Sequence, residues 1–208
     1  RDLFINQVES KQVAITMLDM VSEQIGGSGK VAILSATANA ANQNAWIKFM
    51  EDEIASNDKY KGIEIVAKVY GDDDDTKSFQ EAQGLLQAHP DLNAIVSPTT
   101  VGIAATARYL STSDYKGKVV LTGLGLPNEM RSFVKDGTVK EFALWDPAQL
   151  GYVAAYAGAA LDSGAIKGEV GEKFTAGTLG ERTIGENKTV VVGDPVRFNA
   201  DNIDNYDF

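Results

Sequence analysis

The chain has 208 residues, a net charge of −10 and no cysteine, and these properties exclude several classes of protein. The length allows one large or two small domains with cores of normal size. The dispersed Lys and Arg residues disfavour nucleic acid or an anionic membrane surface as partner, because phosphate contacts use clustered basic residues. Without cysteine there is no disulfide, thiolate metal site or cysteine nucleophile. No apolar run reaches the roughly 20 residues that span a bilayer.

Predicted strands and helices alternate up to residue 161, which is typical of βα units on a mainly parallel sheet. The predicted strands cover residues 4–5, 30–35, 63–69, 94–97, 118–122 and 139–144. The predicted helices cover residues 13–25, 42–55, 76–88, 101–110, 128–135 and 147–161. Residues 174–179 and 188–192 are extended runs joined by a Gly-rich charged stretch, which predicts a hairpin. The sequence opens without the basic and then apolar pattern of a signal peptide.

Catalytic and metal chemistry find little support in the sequence. His89 is the only histidine and lies at a polar helix end, so a helix cap is the simplest interpretation. The run from Gly26 to Lys30 is followed by Val31 and a strand, which indicates a helix-to-strand turn rather than a phosphate loop. Residues 72–75 are four aspartates that favour a solvated helix start over a calcium loop. We predict no catalytic residue, no metal site and no cofactor.

Polar and aromatic residues follow several predicted strands, at the edge of an open α/β sheet where ligands bind. They are Thr37, Asn39, Asn42, Gln43, Asn44 and Trp46 after the second strand, Pro98, Thr99 and Thr100 after the fourth, and Trp145, Asp146 and Gln149 after the sixth. Amides, hydroxyls and indoles suit a neutral polyol, because amides both donate and accept hydrogen bonds and aromatic faces cover sugar C–H groups.

Each of these residues has a purely structural alternative. Asn42 and the neighbouring asparagines can cap a helix, and Trp46 can belong to the core. Asp146 before Pro147 is a strong local signal for a helix N-terminus. A capping side chain can also face a ligand, so the two interpretations stay open together.

Several stretches of the sequence resemble type I periplasmic binding proteins of ABC importers, in the branch that holds the rhamnose-binding and autoinducer-2-binding proteins. These stretches are Phe4-Ile5-Asn6-Gln7, Asn42-Gln43-Asn44-x-Trp46, Asp75-Thr76-Lys77-Ser78, Pro127-Asn128-x-Met130-Arg131, residues 137–146 and the ending from Asn202 to Phe208. They cover essentially the whole chain.

The resemblance implies a doubly wound α/β fold with a mainly parallel sheet, as one lobe of a two-lobed protein joined by three crossovers. It places the C-terminal ligand-cleft lobe at residues 1–144 and a crossover and helix of the N-terminal lobe at residues 145–172. Residues 173–208 are then a hairpin and tail that return across the hinge. The chain is expected to begin just after the first crossover, so most of the N-terminal lobe is expected to be missing.

The resemblance also implies a ligand and a cellular role. The family's Asp-Gln pair falls on Asn42 and Gln43, and its Pro-x-Ala segment falls on Pro98, Thr99 and Thr100. Because Asn42 replaces the acid and Thr100 the alanine, rhamnose is the expected ligand, and autoinducer-2 binding by the same fold is an alternative. The expected partners are a sugar, the missing lobe and a membrane permease, with location in the periplasm. The effector domain of a sugar-responsive transcription regulator is the alternative from another class, and a sugar enzyme ranks last.

Overall fold

The computed structural model describes residues 1–208, which form two compact units. The large unit contains Val13–Leu144 and Arg197–Phe208, and the small unit contains Arg1–Gln12 and Trp145–Val196. The helices are α1 (Ser10–Ile25), α2 (Ala41–Ser56), α3 (Asp75–Ala88), α4 (Thr100–Ser111), α5 (Pro127–Lys135) and α6 (Pro147–Asp162). None of these helices is long and apolar enough to cross a membrane.

Ten strands accompany the helices, and most of them are short. They are β1 (Phe4–Asn6), β2 (Ser28–Ser35), β3 (Gly62–Tyr70), β4 (Ala94–Ser97), β5 (Val120–Gly123), β6 (Glu141–Leu144), β7 (Lys173–Thr175), β8 (Glu181–Thr183), β9 (Thr189–Val191) and β10 (Val196–Asn199). The strands and helices predicted up to residue 161 are all present, with ends within three residues of the predicted ones.

The large unit is built on a parallel sheet with the strand order β3-β2-β4-β5. A parallel bridge between Leu124 and Ala143 brings β6 beside β5, and β10 pairs with β6. Counted from β2, the order of the first five strands is the flavodoxin-like 2-1-3-4-5 arrangement. The direction of winding therefore changes between β2 and β4, and ligands of such folds bind beyond the carboxyl ends of those two strands.

The core of the large unit follows from the apolar runs in its strands. Val31 to Leu34 in β2 and Ile95 in β4 are fully buried, as expected of strands covered by helices on both faces. The C-terminal tail completes this core, because the Phe198 ring stacks on Phe142 at 5.2 Å between centroids. The packing of these buried side chains holds the central strands in place, and it thereby positions the loops at their carboxyl ends.

The small unit combines α6 with four short strands. β1 pairs in parallel with β9, and β7 pairs in antiparallel with β8. Its core cluster contains Val153, Ala157, Ile166, Phe174, Ala176, Ile184, Val190 and Val192. The predicted hairpin between residues 174–179 and 188–192 is therefore wrong. A tight turn between Ala176 and Gly180 closes the hairpin earlier, and residues 189–191 pair with the beginning of the chain instead.

The two units also differ at both ends from the domain division predicted from the sequence. Residues 1–12 pack with residues 145–196, although they were assigned to the lobe of residues 1–144. Residues 197–208 pack with the large unit. The chain passes between units after Gln12, after Leu144 and after Val196. The assignment of the units to lobes of a larger protein stays a prediction.

Candidate functional site

The candidate site lies where β2, β3 and β4 end in the large unit. The loop after β3 is held against the loop after β2, because the backbone amides of Gly71 and Asp72 donate to the carbonyls of Ser35 (2.9 Å) and Ala36 (2.7 Å). The end of β4 is held in the same way, since the Ser97 hydroxyl donates to the Leu34 carbonyl at 2.8 Å. Three strand ends thus form one continuous polar edge.

Gln43 is the most constrained of the predicted ligand residues. Its side chain is 8% exposed, and its Oε1 accepts from the Ser35 hydroxyl at 2.6 Å and from the Ala36 amide at 2.8 Å. An amide oxygen has two lone pairs, so these two bonds use it fully. The Gln43 Nε2 group consequently faces away from both partners with two N–H donors that make no hydrogen bond within the chain.

The neighbouring residues of α2 have different surroundings. Asn42 is exposed in the first turn, and Asn44 Nδ2 donates to the Ala38 carbonyl at 2.9 Å. The N-cap position is Ala40, which provides no side-chain cap, so the interpretation of the asparagines as caps is wrong. Trp46 is only 4% exposed and belongs to the hydrophobic core. The interpretation of Trp46 as a core residue is therefore confirmed, and a role of Trp46 in ligand binding stays a prediction.

The segment after β4 lies close to the loop after β3. Pro98 is buried, Thr99 is 5% exposed and Thr100, the first residue of α4, is half-buried. Thr99 occupies the N-cap position of α4 but makes no capping bond. Its hydroxyl donates instead to the carboxylate of Asp73. Thr99 at the N-cap of α4 and Gln43 in the first turn of α2 thus both offer hydrogen-bonding groups at the point where the winding changes.

Two other acidic residues of this segment, Asp74 and Asp75, have partners on α3 and α4. Asp74 caps α3 by accepting from the Lys77 amide at 2.7 Å, which confirms the predicted helix start. Asp75 pairs with Arg108, and the hydrogen bond from that guanidinium lowers the pKa of the Asp75 carboxyl. No group of acidic residues could hold a metal ion. His89 caps the other end of α3, as predicted.

The other three predicted ligand residues lie in the small unit, at the start of α6. Asp146 caps this helix, because its Oδ1 accepts from the Ala148 amide at 2.8 Å. Gln149 Nε2 lies 3.4 Å from Asp146 Oδ2, and Trp145 is half-buried. The interpretation of Asp146 as an N-cap is confirmed. A role of Trp145, Asp146 and Gln149 in ligand binding stays a prediction.

Loss of this cap has a small and measurable consequence for stability. We expect Asp146→Ala to lower the free energy of unfolding by about 1 kcal/mol, since the Ala148 amide loses its acceptor. Asp146→Asn should keep most of the stability, because asparagine caps a helix about as well as aspartate. Urea denaturation followed by tryptophan fluorescence measures both. Equal losses in the two variants would show that the charge of Asp146, and not the cap, is the stabilising element.

Comparison with known proteins shows the family to which the chain belongs. Residues 1–166 match the model of the periplasmic binding protein domain. The chain belongs to the periplasmic binding protein family. A solved sugar ABC transporter protein from Actinomyces odontolyticus is 98% identical, with a TM-score of 0.96, and covers all of this chain. This chain spans 67% of that protein. The proteins of this family bind ligands and are not enzymes, as the sequence predicts.

Two further solved structures carry ligands. A solute-binding protein of an ABC transporter from Clostridium phytofermentas, with bound L-rhamnose, is 36% identical over 99% of this chain, with a TM-score of 0.89. This chain spans 68% of it. LsrB from Clostridium saccharobutylicum, in complex with AI-2, is 23% identical over the whole chain and 71% of its own length, with a TM-score of 0.86. At that identity the likeness shows the fold alone.

Sequence reasoning missed three residues that build the polar edge of this periplasmic binding protein. Ser35 and Ser97 end apolar strands and are fully buried, so a polar residue at the end of a buried run was the available signal. Asp73 had no such signal. Nothing in its four-aspartate run distinguishes the member that reaches Thr99, because that contact depends on how β3 and β4 are placed.

Proposed function

We propose that this chain is the larger part of the solute-binding component of an ABC importer, and that its ligand is L-rhamnose. The observation that carries the proposal is the pairing of donors and acceptors at the ends of β2 and β4. Gln43 provides two N–H donors, and its side chain is held in place by the two hydrogen bonds that its oxygen accepts. Thr99 provides a hydroxyl oxygen as acceptor, because its proton is donated to Asp73. A sugar hydroxyl both donates and accepts, so it complements each of these groups.

The backbone adds further donors at the same edge. Neither α2 nor α4 has a side-chain cap, whereas α3 and α6 are capped by Asp74 and Asp146. The first amides of an uncapped helix have no partner within the helix and can donate to ligand oxygens. A neutral polyol with several oxygens fits this arrangement better than a cation does.

The choice of L-rhamnose is supported by the solute-binding protein from Clostridium phytofermentas, which is similar over almost the whole chain and holds that sugar. It is also supported by Asn42 and Thr100, which stand where the resemblance to autoinducer-2-binding proteins would place an acid and an alanine. Both are accessible: Asn42 is exposed and Thr100 is half-buried.

The complete binding protein requires more than this chain. Trp145, Asp146 and Gln149 are assigned as further ligand residues on the family resemblance. The remaining part of the N-terminal lobe, a membrane permease and a periplasmic location complete the proposal. It is supported by the longer chains of the two sugar-transport relatives, of which this chain spans 67% and 68%.

Calorimetric titration of the full-length protein tests the proposed ligand. L-rhamnose should bind with one-to-one stoichiometry, and D-arabinose and D-allose should bind at least tenfold more weakly. Tighter binding of autoinducer-2 than of L-rhamnose would overturn the choice of ligand. A flat trace with every compound in the panel would overturn sugar binding itself.

Asn42→Asp tests which ligand the first turn of α2 selects. The variant should bind L-rhamnose about tenfold more weakly, because the carboxylate accepts hydrogen bonds but has no N–H to donate. Its stability should not fall, since an acid near a helix N-terminus is favourable. Asn39→Asp is the matched control, because Asn39 is exposed in the adjacent loop and its Oδ1 acceptor for Thr37 is retained. A similar loss of affinity in both variants would assign the effect to charge alone.

A further inference from the structure

The acidic loop, Asp72–Asp75, contains one carboxylate that reaches the loop after β4. The other three bind within the loop or along the neighbouring helices: Asp72 pairs with Lys77, Asp74 accepts from the Lys77 amide and Asp75 pairs with Arg108. Asp73 instead accepts from the hydroxyl of Thr99, which lies on the loop after β4. Its contact therefore joins the end of β3 to the proposed sugar site.

Thr99 is in an unusual state for an N-cap residue. A threonine at this position normally accepts a hydrogen bond from an amide in the first turn of its own helix. Here it makes no such bond, and its hydroxyl donates to Asp73. A carboxylate can only accept, so the direction of this bond is fixed. The Thr99 oxygen is left as an acceptor, and the first amides of α4 are left as donors.

The acidic loop is held in a conformation that a non-glycine residue adopts at a cost. Asp72 and Asp73 both have positive φ values, 54° and 50°. Left-handed residues other than glycine persist where surrounding contacts hold them, and they are frequent at ligand sites. The contacts that hold this loop are the bonds from Gly71 and Asp72 to the end of β2. The backbone thus holds Asp73 at the edge of the site.

We infer that Asp73 is a positioning residue for the ligand, which sets the Thr99 hydroxyl as an acceptor for a sugar hydroxyl and keeps the N-terminus of α4 uncapped. This inference rests on the proposed sugar-binding function and names a residue that determines its specificity. Asp73 acts through Thr99, so its effect on affinity depends on the presence of the Thr99 hydroxyl. A ligand with a hydroxyl that can donate at this point is favoured over one with hydrogen or a methyl group there.

Substitution by glycine in the full-length protein tests the inference. Asp73→Gly removes the carboxylate without backbone strain, because glycine readily adopts positive φ. We expect the Kd for L-rhamnose to rise about tenfold, with an unchanged melting temperature in the absence of sugar. Asp72→Gly is the matched control, since it makes the same change at the neighbouring residue with nearly the same φ. It loses only the pair with Lys77, and its Kd should stay within about twofold of the unsubstituted value.

Two further variants separate positioning from a general loosening of the loop. Asp73→Asn keeps an acceptor oxygen for Thr99 and tolerates positive φ, so it should restore affinity to within about threefold. Thr99→Val removes the hydroxyl, and adding Asp73→Gly to it should cause no further loss.

Four results would contradict a positioning role of Asp73. Equal losses in Asp73→Gly and Asp72→Gly, an unchanged Kd in Asp73→Gly, or additive losses in the double variant with Thr99→Val would each overturn the inference alone. Failure of the unsubstituted protein to bind any sugar would overturn the proposed function and the inference with it.

Discussion

Replacement of Gly123 by alanine should lower the free energy of unfolding by about 3–5 kcal/mol, which is a large loss for a single substitution. Gly123 has a φ of +143°, which a side chain rarely adopts, and a Cβ atom there would lie 1.9 Å from the carbonyl oxygen of Ser97. That oxygen accepts from the Leu124 amide at 2.9 Å. The methyl group would therefore force apart β4 and β5, which pair at this point. Urea denaturation measures the loss.

Gly117→Ala is the control that separates contact from conformational strain. Gly117 also has a positive φ, +75°, but no atom lies within 4 Å of the position of its Cβ. Its substitution should cost only about 1 kcal/mol, from backbone strain alone. A similar loss in both variants would show that the close approach to Ser97 is relieved by a small shift of the strands. In that case the end of β4 is more adaptable than its packing indicates.

The close approach at Gly123 matters for the site because it fixes Ser97. The Ser97 hydroxyl ties β4 to β2 through the Leu34 carbonyl, and Thr99 follows two residues later. The position of the loop after β4, which carries the proposed ligand residue Thr99, therefore depends on a contact between backbones. The only trace of such a contact in the sequence is a glycine at the end of an apolar strand.

The sequence predicted the large unit well because local patterns determine most of it. β2 and β4 are short apolar runs between polar turns, and such runs indicate buried strands wherever their partners lie. The small unit was harder to predict. β1 and β9 come from opposite ends of the chain, and each is only three residues long. Neither strand carries information about its partner, so the local pattern favoured a hairpin that does not form.

The same distinction between local pattern and tertiary contact applies to the residues of the proposed site. Gln43, Trp46, Ile47 and Met50 are the buried residues of α2, and they recur at the spacing of one helix face. This periodicity agrees with the interpretation of Trp46 as a core residue, which stood open beside a ligand role. Gln43 shares that buried face and still reaches the polar edge, because it lies in the first turn of the helix. The bond between Asp73 and Thr99 joins two loops through tertiary structure and leaves no pattern in the sequence.

Gln43→Met should weaken both stability and sugar binding, and these two effects have different causes. Methionine has a similar length, but its thioether sulfur is only a weak acceptor. The buried Ser35 hydroxyl and Ala36 amide would therefore lose the strong acceptor that Gln43 provides. Two such losses should lower the free energy of unfolding by about 2 kcal/mol. The lost N–H donors should weaken L-rhamnose binding by on the order of 30-fold in Kd, or about 2 kcal/mol. Denaturation and calorimetry of the full-length protein measure the two effects separately.

Ser35→Ala isolates the structural part of this effect. It removes one of the two donors to Gln43 Oε1 and leaves the Ala36 amide bond and the Nε2 donors in place. Stability should fall by about 1 kcal/mol, whereas the Kd for L-rhamnose should change less than threefold. If Gln43→Met loses stability but keeps its affinity for L-rhamnose, then Gln43 stabilises the loop after β2 and does not bind the sugar. Affinity in that case has to come from Asn42, Thr99 and the uncapped amides of α2 and α4, which the Asn42 and Asp73 variants measure independently.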